Sequence, residues 1–340
     1  MDKWKERLKR IGPKLGYPVF YFVCLVVFLS WTFPYDKLRD RVVAQFNAQQ
    51  RNSAHPQELQ IDDLDSSFLT GVKAKGVRLI SPSAEAGKPP SVISIDEARA
   101  RISLLGLLAG NKDISFRVDA FDGTVKGTFE DTGKSRDIDI TFDGVDIGRI
   151  DAIAANVGFP LDGKLFGTIK LNLPEGKASK GNGNIALEIR DMNAGNQKEL
   201  TIKTPMGPFT LPRLKVGTFT VNGDAKDGVL KLTKIVAQGG DVDVNGDGKV
   251  QMREVATDAH LDANLKFKIN DGYRGKNDKT KLLFGSPGSK EKAMLEMDPR
   301  MGRAKTADGF YALRVGGTLG KPDVQPGGGA GASPGGFNFK

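Results

Sequence analysis

Residues 114–147 read ISFRVDAFDGTVKGTFEDTGKSRDIDITFDGVDI. Apolar residues fall at every second position, as Ile114, Phe116, Val118 and Ala120, and again as Ile138, Ile140 and Phe142. A period of two marks a strand with one apolar face. Asp122-Gly123 and Asp143-Gly144 stand at the joints, and such pairs suit tight hairpin turns. The stretch predicts consecutive antiparallel strands.

The same texture continues outward. Upstream, strands are expected over 58–64, 71–81 and 91–103, and in the quoted stretch over 114–121, 123–131 and 137–147. Downstream they are expected over 164–173, 184–192, 215–223, 228–237, 260–269 and 311–319. Further joints carry Asp162-Gly163, Asn222-Gly223, Asp227-Gly228 and Asn245-Gly246. A loose repeat links Gly123-Thr-Val-Lys-Gly127, Gly163-Lys-Leu-Phe-Gly167, Gly217-Thr-Phe-Thr-Val-Asn-Gly223 and Gly316-Gly-Thr-Leu-Gly320. The fold class is therefore mainly β, a long antiparallel meander with two or three short helices. One helix is expected over 102–109, closed by Gly110. A second runs over 147–157, with Ile147, Ile150, Ile153, Ala154 and Val157 on one face and Gly158 as its stop. Lys279 to Phe284 supply one or two more turns before Gly285.

Between 271 and 305 the alternation is lost, and nine Lys/Arg face five Asp/Glu. This basic loop is either plainly solvated or in contact with lipid phosphates or an acidic partner. Residues 323–340 are too rich in Gly and Pro to fold, so the β domain is bounded at 58–322.

Leu15 to Tyr35, LGYPVFYFVCLVVFLSWTFPY, is free of formal charge. As a helix it is about 30 Å long, the thickness of a bilayer's hydrocarbon core. Leu15, Tyr21, Phe22, Leu25, Phe28, Trp31 and Phe33 are its expected lipid-facing anchors, with aromatic rings near both ends. Bulky residues from Ser30 to Pro34 leave no small-residue cleavage site, so an uncleaved span is expected. Six cations against two acids in residues 1–14 should hold that tail in the cytoplasm and send residues 36–340 across the membrane. Residues 36–57 form an amphipathic helix and linker, with Leu38, Val42 and Phe46 as the apolar stripe. This helix packs on the first strands or, alternatively, lies on the membrane surface.

The 340 residues carry 50 Lys+Arg against 41 Asp+Glu, a net charge of +9, and the first 14 residues supply +4 of it. The remainder is mild and calls for no nucleic acid. The lone cysteine, Cys24, lies within the apolar run, so no intramolecular disulfide forms. Two histidines, His55 and His260, leave little for a histidine triad or a multi-histidine metal site. No phosphate-binding glycine loop occurs, and the one G-x-S-x-G match, Gly331 to Gly335, falls in the Gly- and Pro-rich tail rather than between a strand and a helix. Of the acid pairs that might suggest acid–base work, the neighbours Asp62 and Asp63 point to opposite faces of a strand, and Asp137 and Asp139 alternate with Ile138 and Ile140 as a solvated face does. No enzyme activity and no cofactor are expected.

One pattern points to a metal. From Asp243 the chain satisfies D-x-N-x-D-G with Glu254 closing it, the calcium-loop spacing. Its flanks alternate as strands where such a loop needs helices, and Asn245-Gly246 or Asp247-Gly248 also makes an ordinary hairpin turn.

The order of these segments resembles the AsmA-like superfamily. It is more closely similar to protein N of the type II secretion system in its delta-proteobacterial form. The resemblance spans roughly residues 3 to 323. It is carried by the short helix with Ser103-Leu-Leu-Gly-Leu-Leu108, by Gly158-Phe-Pro-Leu-Asp-Gly163 leading into Gly167-Thr-Ile-Lys-Leu, and by Gly316-Gly-Thr-Leu-Gly-Lys-Pro322. Lys279-Thr-Lys-Leu-Leu-Phe-Gly-Ser-Pro-Gly288, Met297-Asp-Pro-Arg300 and Arg303 to Tyr311 add to it. It implies a single-pass inner-membrane protein whose periplasmic part is a long curled sheet, serving protein secretion with other envelope subunits as partners. The wider superfamily implies an alternative, a carrier of phospholipid acyl chains along an apolar groove. Ile114, Phe116, Val118, Phe166 and Ile169 are the residues expected to line such a groove.

Overall fold

A computed structural model describes residues 16–18, 20–21, 24–25, 27–28, 31–50, 57–67, 70–81, 91–103, 106–107, 110–204, 207–289 and 292–327. The chain divides into two compact units, Met1–Leu108 and Ala109–Lys340. Both are built mainly of antiparallel strands taken in chain order.

In the first unit, β1 (Glu58–Ser67), β2 (Gly71–Ser81) and β3 (Ser91–Ile102) form a meander. Helix α1 (Tyr35–Gln50) packs on β1, so its contact is with the strands. Tyr35, Leu38, Val43 and Phe46 are its half-buried apolar residues, whereas Val42 is 41% exposed. Val43 thus takes the place expected of Val42, because the strand meets the helix slightly to one side of the apolar stripe. Asn47 fixes the contact. Its amide donates to the Leu59 carbonyl at 3.2 Å and its side-chain oxygen accepts the Leu59 N–H at 2.7 Å, as a neighbouring strand would.

Before α1, residues 16–18, 20–21, 24–25, 27–28 and 31–32 are helical. Tyr21, Leu25, Phe28, Trp31 and Phe33 are all exposed, while Leu15 and Phe22 lie outside the described residues. Among the described residues no helix is long and apolar enough to cross a membrane.

The second unit holds eleven strands. They are β4 (Lys112–Ala120), β5 (Gly123–Asp131), β6 (Ser135–Asp146), β7 (Leu161–Pro174), β8 (Asn182–Thr204) and β9 (Gly207–Lys226). Then follow β10 (Val229–Gln238), β11 (Val242–Gln251), β12 (His260–Ile269), β13 (Tyr311–Thr318) and β14 (Lys321–Pro326). Each pairs antiparallel with the next, and no pairing joins β14 back to β4, so the sheet is open.

The Asx-Gly pairs do three different jobs. Asp122 (φ 54) and Asp227 (φ 50) sit in hairpin turns, in the left-handed conformation such turns require. Gly144 and Gly163 sit at register shifts in β6 and β7, where one strand carries an extra residue. Asn222-Gly223 and Asn245-Gly246 lie inside strands.

Helix α2 (Asp151–Val157) follows a 3₁₀ turn over Ile147–Arg149 and ends at Gly158, φ 87, as its sequence predicts. Of the helix expected over 102–109, Ile102 is strand, Gly106 and Leu107 are helical, and 104–105 and 108–109 lie outside the described residues. Between β12 and β13 the chain builds a helical cap. It comprises α3 (Asp271–Arg274), α4 (Asp278–Phe284), a 3₁₀ turn at Met294–Met297 and α5 (Pro299–Ala304). Asn277 and Thr280 cap the start of α4 reciprocally, and Pro299 follows the capping Asp298 in α5.

Two sequence expectations are corrected. The calcium pattern is not a loop: residues 242–251 form β11, pairing with β10 and β12 along their length. Asp243, Asn245 and Asp247 are strung along a strand at a rise of about 3.3 Å per residue, which cannot wrap them around one ion. Glu254, the closing ligand of that pattern, instead accepts the Ala178 N–H at 3.0 Å. Neither Asn245-Gly246 nor Asp247-Gly248 turns the chain. At the other end, β14 runs to Pro326, four residues into the stretch expected to be unfolded, because Val324 and Pro326 pair opposite Val315 and Leu313.

Candidate functional site

Partners across an antiparallel ladder share a face, so the registers state which residues meet. One row runs through the second unit as Phe116, Gly127, Ile140, Ile169, Ile185, Gly223, Leu232, Gly248, Ala263, Val315 and Val324. Every strand contributes an apolar residue or glycine. The row beside it holds Val118, Val125, Phe142, Gly167, Leu187 and Val221. On the other side stand Ile114, Phe129, Ile138 and Leu171. This is a continuous apolar face, and it accounts for one glycine in each of three repeats. Gly127, Gly167 and Gly223 each occupy this face beside bulky neighbours. A Cβ on Gly127 would stand 2.5 Å from Cζ of Phe116 and 2.6 Å from the Asp139 carbonyl oxygen.

Cover over this face is uneven. From β9 to β13 it is filled. Leu232, Ile235, Val250, Ala259 and Ala263 are buried together, with Phe219, Val221, Leu261, Leu265 and Val315 against them. Nearer the cap, Ala237, Val242 and Ile269 are buried against Tyr273 and Leu283. The Tyr273 hydroxyl donates to the Pro212 carbonyl at 2.5 Å, and burial pushes its phenol well above the usual range, so it stays a donor. At the cap's far end Glu296 accepts from the Tyr311 hydroxyl at 2.8 Å and from Nζ of Lys305 at 2.7 Å. Burial alone would push the Glu296 carboxyl up, but those two hydrogen bonds and the Lys305 charge outweigh it and hold the carboxyl below its ordinary value.

From β4 to β8 the same rows are only half-buried. Ile114, Phe116, Val118, Phe129, Ile138, Ile140, Phe142, Ile169, Leu171, Ile185 and Leu187 all keep part of their surface in contact with solvent. Among the described residues of this unit no helix packs over their centre in the way that α3 and α4 pack over the far end.

Four of the five residues expected to line a groove belong to this face: Ile114, Phe116, Val118 and Ile169. Phe166 does not. It lies three residues from Ile169, an odd spacing that puts it on the opposite face of β7, across from Glu188. There its ring sits under the Arg190 guanidinium, 4.3 Å from the centroid. Phe166 and Ile169 are both bulky and lie within two residues of Gly167. The alternation from Ile169 back to Leu165 was the signal that separates them.

The acid pairs singled out in the sequence are held in hydrogen bonds and ion pairs. Asp137 accepts from the Asn172 amide at 2.7 Å, and Asp139 pairs with Lys170 at 3.2 Å, on the polar side of β6 and β7. Asp62 pairs with Arg78 and Asp63 with Lys75. Among the described residues no group of three or more His, Cys, Asp or Glu could hold a metal ion. Comparison with protein-family models, with curated proteins and with solved structures returns no match.

Proposed function

We propose that this chain is a non-catalytic component of a bacterial envelope export machine, of the kind exemplified by protein N of the type II secretion system. In this reading residues 15–35 anchor it in the inner membrane and the sheet works in the periplasm by contact with other subunits. The observation that carries the reading is the glycine-punctuated antiparallel meander of the second unit, whose polar face is occupied by ion pairs and whose other face is apolar from β4 to β14. A surface built so uniformly serves binding rather than bond chemistry. The test is recovery of a tagged copy from solubilised envelope. Other secretion subunits should come with it, and secretion should fail in a strain lacking the chain.

A second reading, a carrier for phospholipid acyl chains, is favoured by the half-buried rows between β4 and β8. Apolar area left in water is costly at about 25 cal/mol per Å², and an acyl chain laid along it would recover that. If so, the purified protein retains phospholipid detectable by mass spectrometry. Ile169→Asp should then lower the load severalfold, while Phe166→Asp, on the other face, should leave it unchanged. Equal loads in both variants would sink the carrier reading.

A further inference from the structure

The outer surface of the helical cap has no role in the reading above. Thr280 and Leu283 turn one side of α4 inward and are buried, which leaves Lys279 and Leu282, one turn apart, on its outer side. Leu282 is 58% exposed. The 3₁₀ turn that packs against α4 carries Met297, 70% exposed. Two large apolar side chains therefore stand in water on adjoining elements.

The charge around them is one-sided. Residues 271–305 hold nine cations and five acids. The described acids each have a partner, Asp271 with Arg274, Asp278 with Lys281, Glu296 with Lys305 and Asp298 at the start of α5, although Asp271 and Asp278 stay exposed. Lys279 and Lys292 are exposed, and no ion pair among the described residues uses either. With those acids paired, Lys279 and Lys292 leave an excess of positive charge on the cap, and Lys279 stands one turn from Leu282.

From this pairing we infer that the outer surface of the cap docks on an anionic lipid surface, with Leu282 and Met297 entering the headgroup boundary and Lys279 and Lys292 meeting lipid phosphates. Cations alone would suit any acidic partner. It is the protruding unbranched methionine and the leucine beside them that suit a bilayer interface.

The full chain, held in nanodiscs of phosphatidylcholine, can be exposed to vesicles of phosphatidylcholine with or without phosphatidylglycerol. Only the anionic vesicles should be retained. Each of Lys279→Gln and Lys292→Gln should weaken retention about fivefold, and Leu282→Ser with Met297→Ser should weaken it further at unchanged charge. Lys126→Gln, on the polar face of β5, should have no effect. Equal retention of neutral vesicles, or retention indifferent to the cap substitutions, would overturn the inference. So would full competition by soluble polyglutamate with no effect of the serine substitutions, which would indicate an acidic protein instead. Entry of the chain into the disc reports on the anchor separately, so failure of one reading is distinguishable from failure of the other.

Discussion

Gly127 stands between the Phe116 ring and the Asp139 carbonyl, with no room for a β-carbon on either side. The phenyl ring fills the space that a side chain would take, and the row Phe116, Gly127, Ile140 packs as large, small, large. Gly127→Val should therefore force strand or ring to move and destabilise the protein by about 2 kcal/mol, read as a lowered thermal midpoint. Gly133, in an open turn at φ 75, has nothing within 4 Å of its Cβ position, so steric crowding there is absent and strain is confined to the backbone. Alternation at single residues was legible in advance: Ile114, Phe116, Val118 and Ile169 share the face that their spacing implies. Phe166 was misplaced by its neighbours' bulk, although parity alone assigns it to the Arg190 side.

Among the elements, α1 and the cap are held by a few side-chain bonds whose loss is measurable. Asn47→Ala removes both bonds to the Leu59 backbone, and hydrogen exchange at the Leu59 amide should rise at least tenfold with little change at the second unit's amides. An unchanged rate would mean that α1 does not shield this strand. The cap's Glu296 titrates below its ordinary value of 4.5 in the folded protein. The stability it contributes is accordingly complete above that pH and is lost as pH falls through the lower, folded value. The contacts to Tyr311 and Lys305 should loosen in that acidic window, seen as faster exchange in 294–311, and Glu296→Gln should abolish the pH dependence. Helix α2 and its Gly158 stop were legible because periodicity and cap agree. The strand β11 was not, since Asp, Asn and Gly in alternate positions imitate a turn or a calcium loop. Only the partners on β10 and β12 show that Gly246 and Gly248 make room for Leu265 and Ala263. The cap was legible in part: Lys279 to Phe284 with Gly285 as its stop foretold α4, whereas α3 and α5 showed only as lost alternation, for they are too short to show a periodicity.

For the molecule as a whole, exposed strand edges are restrained by different means in each unit. In the first, α1 occupies backbone groups of β1. In the second, β14 carries Pro322 and Pro326, which cannot donate to a further strand. In the proposed role, contact with partners would fall to the faces and the cap rather than to strand addition. The meander itself was legible from period-two alternation. What alternation cannot say is how deeply each row is covered, because that depends on which segments return over the face, and the half-buried rows from β4 to β8 emerge only from the fold. The central claim concerns an envelope machine, and co-purification addresses it most directly. A tagged full-length chain drawn from solubilised envelope should bring other secretion subunits with it. Recovery of the chain alone, together with undiminished secretion in a strain that lacks it, would contradict the account.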